Sequence, residues 1–204
     1  MNQEREIKAV LFDYGGVLAE EGFREGLGAI GRKNGIDPEE VVKAGFDLVH
    51  RTGYVVGGGH EAAFWEAVRE ETGAVGSDDE LRGEILSRFV LRPRMVEVVD
   101  ALRGMGFVVG LLSDQTQWLE ELDARDGFFE HFDHVFNSYR VGLSKRDPAV
   151  FDRAAETLGL QPEEILFIDD NQGNVERAAG RGFRTWLFND TEEFLGFVGE
   201  RFLL

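Results

Sequence analysis

The chain has 204 residues, 39 acidic against 22 basic, a formal net charge of −17 and no cysteine. The missing cysteine excludes disulfides, thiol catalysis and zinc–thiolate sites, and the acidic balance argues against a nucleic-acid partner. With 43% hydrophobic and 30% charged residues, the composition is that of a globular chain with one core, or a core and a smaller insert.

No apolar run is long enough to span a membrane. The polar start Met1-Asn-Gln-Glu-Arg-Glu6 does not resemble a secretory signal, so a cytoplasmic location is expected. The four histidines, His50, His60, His131 and His134, form no metal-ligand pattern.

In chain order, residues 7–13 read as a buried strand that runs into Asp13, with Gly15 and Gly16 behind it. The glycines suit a sharp turn or a backbone close to a ligand. Residues 19–90 have helical periodicity and no strand run, with helices expected near 21–33, 38–50, 60–72 and 78–90. Asp37-Pro38 is a helix start signal, and Ser77-Asp78-Asp79-Glu80 has the capping-box pattern. Gly53 to Gly59 is expected to be a loop or hinge.

From Pro93 onward helices and strands alternate. Expected helices cover 94–104, 116–125, 148–158, 173–180 and 191–198, and expected strands cover 107–112, 133–136, 164–168 and 184–187. Phe128, Phe129 and Phe132 are expected in the core. The alternation predicts an α/β fold with a parallel sheet covered by helices on both faces. Residues 1–18 and 91–204 would form the core domain, and 19–90 a helical cap over Asp13.

Four strands are followed by polar groups: Asp13, Ser113, Lys145 and the pair Asp169-Asp170. In a doubly wound sheet such loops converge at one edge. Carboxylates gathered there repel one another unless a cation lies among them, and Mg²⁺, which takes hard oxygen ligands, fits. Asp13 can then attack phosphorus, with Ser113 and Lys145 holding phosphoryl oxygens. Each residue also has a plainer reading. Lys145 lies among Arg140, Arg146 and Asp147 as a surface lysine would, and Ser113, Asp169 and Asp170 suit helix caps.

Taken together, Asp13-Tyr-Gly-Gly-Val-Leu18, Leu111-Leu-Ser-Asp114, Lys145 in Gly142-Leu-Ser-Lys145, and Phe167-Ile-Asp-Asp170 with Asn174 resemble the ordered motifs of the haloacid dehalogenase-like superfamily. The likeness is to its phosphatase-rich branch with a small helical cap. It implies a Rossmann-like sheet of order 3-2-1-4-5 and a hydrolase of small phosphorylated metabolites. It also implies Asp13 as nucleophile and phosphate held by Ser113 and Lys145. Mg²⁺ would be held by Asp13, the Gly15 carbonyl and Asp170, with Asp169 as a further or indirect ligand and Asn174 in support. Gly15, Gly16, Asp114, His50 and Arg51 are the candidate substrate contacts.

One departure bears on mechanism. The family's phosphatases usually carry an acid–base Asp two residues after the nucleophile, and here that place is Gly15. Asp114, His50 and Glu21 are candidate substitutes. Arg146 stands where a Pro is common. The cap residues Phe23, Phe46, His50, Arg51, Tyr54 and Trp65 are the candidates for selectivity, His50 and Arg51 foremost because they border the glycine-rich loop. Two alternatives remain at this point: a phosphate-pocket protein with weak or lost turnover, and a metal-independent 2-haloacid dehalogenase using Arg24.

Overall fold

The structure, a computed structural model, describes residues 6–202. Five parallel strands, β1 Ala9–Phe12, β2 Val108–Ser113, β3 His134–Asn137, β4 Ile165–Asp169 and β5 Arg184–Leu187, form one sheet of order β3-β2-β1-β4-β5. The order expected from the motifs is the order found. Leu11 of β1 pairs with Gly110 of β2 on one side and with Phe167 of β4 on the other. The chain turns from one half of the sheet to the other at β1 and β4, where open α/β sheets bind ligands beyond the strand ends.

Both faces are buried because apolar residues fill both strand phases. Val10, Phe12, Val109, Leu111, Leu166 and Ile168 share one apolar cluster with Met95 and Val99 of α5 (Pro93–Gly104) and Phe194 of α10 (Thr191–Phe202). Ala9, Leu11, Leu112, Ile165 and Phe167 form the other, with Val150, Phe151 and Ala154 of α8 (Ala149–Leu158) and Ala178 of α9 (Gln172–Gly180). The alternation along β1 is the two-residue period of a strand. The closing helix α10 is longer than expected because Phe194, Val198 and Phe202 continue its buried stripe.

Between β1 and α5 lie α1 (Gly22–Asn34), α2 (Pro38–Arg51), α3 (Glu61–Thr72) and α4 (Asp78–Leu86). The start signals act as expected. The Asp37 side chain accepts from Glu39 N at 3.0 Å, and Ser77 and Glu80 form the reciprocal capping box. Helix α1 packs closely on α4 because Gly26 carries no side chain, and on Phe89 just beyond α4 because Gly22 carries none. A Cβ on Gly26 would lie 2.5 Å from Ile85 Cα. The fourth helix ends at Leu86, four residues short of the expected boundary, because Leu91 turns to bridge Ala19 beside β1.

The segment Gly53–Gly59 is not a free hinge. It contains a one-turn 3-10 helix, Tyr54–Val56, with Tyr54 and Val55 buried. It is fastened by the Ser138 hydroxyl, which donates to Val55 O at 2.7 Å. Ser138 opens α7 (Ser138–Val141), a short helix without a counterpart in the expected pattern. Its four residues are too few to show helical periodicity. Trp118 of α6 (Trp118–Asp126) stacks on Trp65 of α3 with ring centroids 5.8 Å apart and meets Tyr54 edge-on at 5.6 Å. Helices α1–α3 therefore share one apolar cluster with a face of the sheet.

Candidate active site

Beyond β1, β2 and β4 lies a cavity of about 340 Å³, lined by Asp13, Gly15, Ser113, Asp114, Lys145, Asp170 and Asn174 on the sheet side. Glu21, Phe23, Arg24, Phe46, Val49 and His50 line it from the insert.

Asp13 follows β1 directly, and its amide donates to Ile168 O at 2.9 Å, which extends the pairing to β4 by one residue. Its Oδ1 accepts from Tyr14 N at 2.7 Å and from Ser113 Oγ at 2.7 Å. Its Oδ2 lies 2.7 Å from Lys145 Nζ. Tyr14 turns away from the cavity into the core, stacking on Phe128 with centroids 4.8 Å apart. That contact explains the aromatic residue in the motif and the burial of Phe128.

Lys145 is 1% exposed, so the reading of it as a surface lysine fails. Its Nζ also donates to Asp169 Oδ2 at 2.6 Å. Burial alone would discharge it, but Asp13, Asp169 and Asp114 outweigh burial and hold the ammonium above the usual lysine range. Its backbone is fixed as well. The Lys145 amide donates to both oxygens of Asp114, at 2.8 and 3.1 Å, and its carbonyl accepts from Arg177 Nε at 2.6 Å. Arg177 also reaches Asn174 Oδ1. Arg177 was absent from the expected site. The only sequence signal for it is its place three residues after Asn174, one helical turn on.

Asp169 is fully buried. It accepts from Asn171 N at 2.7 Å and from Asn174 Nδ2 at 3.0 Å, besides Lys145. It anchors the lysine and Asn174 together. Asp170 points to the cavity and makes no ion pair among the described residues. Burial first, then Asp169, raises its carboxyl above the usual range. Asp13 is raised too, by burial in the first place, against Lys145, with Asp169 and Asp170 adding.

Carboxylate oxygens of Asp13, Asp169 and Asp170 all lie within 4.8 Å of one another. Hard oxygen donors crowded around one ammonium suit a divalent cation such as Mg²⁺. Gly16 makes room for this arrangement. It has φ +79, and a Cβ there would lie 2.1 Å from Asp170 Oδ2. Gly16 therefore serves Asp170, and its carbonyl accepts from Arg92, whose side chain holds the turn after β1.

Gly15 leaves a space that the chain fills from elsewhere. A Cβ on Gly15 would lie 2.6 Å from Glu21 Oε2. Burial pushes the Glu21 carboxyl up to about 7, the Arg24 amide opposing and Asp170 adding.

Of the two favoured cap residues, only His50 lines the cavity. Burial first and Arg146 next push it down to about 4, against Asp47, so it is neutral at neutral pH. Arg51 is not brought to the cavity. It lies on the outer side of α2, paired with Asp47 at 2.8 Å and Glu71 at 2.6 Å. One helix position rotates a side chain by about 100°, enough to turn it from pocket to solvent. Phe23 and Phe46 meet edge-on, 5.0 Å apart, in the cavity wall, and Tyr54 and Trp65 are core.

Residues 7–180 match the family described as haloacid dehalogenase-like hydrolase. The bifunctional epoxide hydrolase 2 of Rattus norvegicus is 31% identical over 116 residues, which is 53% of this chain and 20% of that protein. The chain thus spans about a fifth of the length of the epoxide hydrolases it matches. A glyceraldehyde 3-phosphate phosphatase of Methanopyrus kandleri is 28% identical over 199 residues, 86% of this chain and 80% of the relative. Among solved structures, a HAD family enzyme of Bacteroides thetaiotaomicron in complex with magnesium and inorganic phosphate superposes with a TM-score of 0.71 at 26% identity. The match covers 92% of this chain and 98% of the other.

Proposed function

The chain belongs to the haloacid dehalogenase-like hydrolase family, and from that membership we propose that it is a Mg²⁺-dependent phosphatase acting on small phosphate monoesters through an aspartyl-phosphate on Asp13. The observation that carries this reading is the position of Asp13. It stands at the end of β1, lines the cavity, and is held at both carboxylate oxygens by Ser113 and Lys145.

Attack by one Asp13 oxygen on phosphorus requires the carboxylate to be aimed and the phosphoryl oxygens to be neutralised. Tyr14 N and Ser113 Oγ fix the carboxylate's orientation. Lys145 supplies a desolvated positive charge that cannot drift, because its backbone is held by Asp114 and Arg177 and its ammonium by Asp169. Asp13, Asp170 and the Gly15 carbonyl, with Asp169 nearby, would hold Mg²⁺, which when bound offsets the negative charge shared by nucleophile and phosphoryl group. Asn174 fixes Asp169 from the following helix.

The insert supplies the part of the pocket that meets the rest of the substrate. Phe23, Phe46 and Val49 are apolar, while His50, Arg24 and Arg146 offer polar contacts. A cavity of about 340 Å³ is of the size that takes a small phosphorylated metabolite. The phosphatase named among the relatives and the magnesium–phosphate complex among the structural neighbours support the same substrate class. So does the carboxylate of Asp170, which makes no ion pair among the described residues and which a metal-independent dehalogenase reaction would leave without a task.

The test is phosphate release from 4-nitrophenyl phosphate by wild type and Asp13→Asn, each with Mg²⁺ and with EDTA. Release that needs both the metal and Asp13 is expected. Undiminished release by Asp13→Asn, or release that survives EDTA, would overturn the reading.

A further inference from the structure

Ester cleavage at phosphorus has two proton demands. The departing oxygen needs a proton, and the water that later attacks the aspartyl-phosphate must lose one. Most ionisable groups around the cavity are already committed. Lys145 is shared between Asp13 and Asp169. Asp114 spends both oxygens on the Lys145 amide. Asp169 accepts from Lys145, Asn171 and Asn174. Arginines do not give up protons in proteins.

Glu21 differs in three ways. It is the N-cap residue of α1, and its Oε1 accepts from Arg24 N at 3.1 Å. That position normally favours Ser, Thr, Asp or Asn, whose short side chains reach the first-turn amides. A Glu here meets the capping need with one oxygen and leaves the other over. That second oxygen makes no hydrogen bond among the described residues, and it lies where the side chain of residue 15 would begin. Finally, Glu21 lines the same cavity as Asp13, from the insert side.

We propose that Glu21 is the acid–base catalyst of this reaction, reaching from the start of α1 into the space that Gly15 leaves open. The assignment rests on the phosphatase reading above. In the first step an Asp13 oxygen bonds to phosphorus while the bond from phosphorus to the ester oxygen breaks. The ester oxygen keeps the electron pair, takes the Glu21 proton and leaves as an alcohol. In the second step the Glu21 carboxylate takes a proton from water as the water oxygen attacks phosphorus. The bond between phosphorus and Asp13 breaks, releasing phosphate and restoring the Asp13 carboxylate and protonated Glu21.

Leaving-group dependence tests this, because a residue that only caps a helix affects all esters alike. The variants are Glu21→Gln, which keeps size and can still accept from Arg24 N, and Glu21→Ser/Gly15→Asp. The double variant keeps a good N-cap and moves the carboxyl to residue 15. Gly15 carries no positive φ, so an Asp there is free of backbone strain. Each is assayed beside wild type and Asp13→Asn with 4-nitrophenyl phosphate, whose leaving group needs no proton, and with an alkyl phosphate, whose leaving group does.

Read as kcat/KM, which reports the steps through formation of the aspartyl-phosphate and not its hydrolysis, Glu21→Gln is expected to lose about 10²- to 10⁴-fold on the alkyl ester and less than about tenfold on the aryl ester, with the double variant recovering most of the loss. Equal losses of kcat/KM on both esters, or no loss on either, would overturn the role of Glu21 while leaving Asp13-dependent turnover standing. No release by wild type from either ester would remove the phosphatase reading itself, and this role with it.

Discussion

A single ammonium, Lys145 Nζ, spans two carboxylates at the ends of adjacent strands, 2.7 Å from Asp13 just after β1 and 2.6 Å from Asp169 at the end of β4. All three groups are buried. The lysine is thus both a structural tie across the centre of the sheet edge and the fixed positive charge of the site.

Removing that charge leaves two buried carboxylates facing each other. Lys145→Met is expected to lose turnover and to cost about 3–5 kcal/mol of stability, read from urea unfolding. Adding Asp169→Asn to it should restore much of the stability and none of the turnover. Recovery of turnover in the double variant would show that Lys145 acts only as a tie.

The carboxylates of Asp13 and Asp170 should make Mg²⁺ stabilise the fold. At a concentration about 100-fold above Kd, binding adds about 2.7 kcal/mol, which for a chain of this size raises Tm by about 5–10 °C. EDTA should reverse the rise. Asp170→Asn should abolish it, and so should Gly16→Ala, because the added Cβ takes the place of Asp170 Oδ2. A full Mg²⁺ shift in Gly16→Ala would mean that Asp170 is not a ligand.

His50 should make stability fall with acid. Its folded-state pKa of about 4 lies below the ordinary 6.5, through burial and Arg146. Between these values the unfolded chain binds the extra proton, so the contribution is present above pH 6.5 and is lost as pH falls toward 4. His50→Gln should therefore show a shallower decline of the urea midpoint across that window than wild type. An identical decline in both proteins would place the loss elsewhere.

Arg51 and Phe46 should separate in catalysis. Arg51→Ala removes only exposed ion pairs to Asp47 and Glu71, outside the cavity, and is expected to leave kcat/KM within about twofold. Phe46→Ala, in the cavity wall, should change KM for substrates that fill the pocket. A large loss in Arg51→Ala, measured by initial rates, would put that side chain in the pocket.

The fold was largely legible because both periods were strong. The apolar runs ending at Asp13, Ser113 and Asp169 read as buried strands, their alternation with helices predicted a parallel sheet, and the order 3-2-1-4-5 came from the family resemblance. Asp13, Ser113 and Asp169 were legible for the same reason, since each stands at a strand end, whereas Lys145, eight residues beyond β3 with α7 between, was placed by the ordered motifs. What escaped was set by rotation and by contact at a distance. Arg51 and His50 are adjacent in sequence, yet only His50 lines the cavity. Arg177 joins the site through the backbone of Lys145, 32 residues away. Glu21 could be named only as one of several candidates, because its approach to Gly15 depends on how α1 leaves β1. The docking of Gly53–Gly59 depends on Ser138, from a helix of a single turn.

The aromatic seam around Trp118 has a consequence for how such a protein changes its substrate. Phe23, Tyr54, Phe64 and Trp65 of the insert all meet this one ring of α6. The helices over the active site are therefore not a detachable module: a transplanted insert would expose Trp118 or collide with it. New specificity in this chain is open to point changes in the cavity wall, at Phe23, Phe46 or Val49, whereas wholesale exchange of the roof would have to rebuild the wall it stands on.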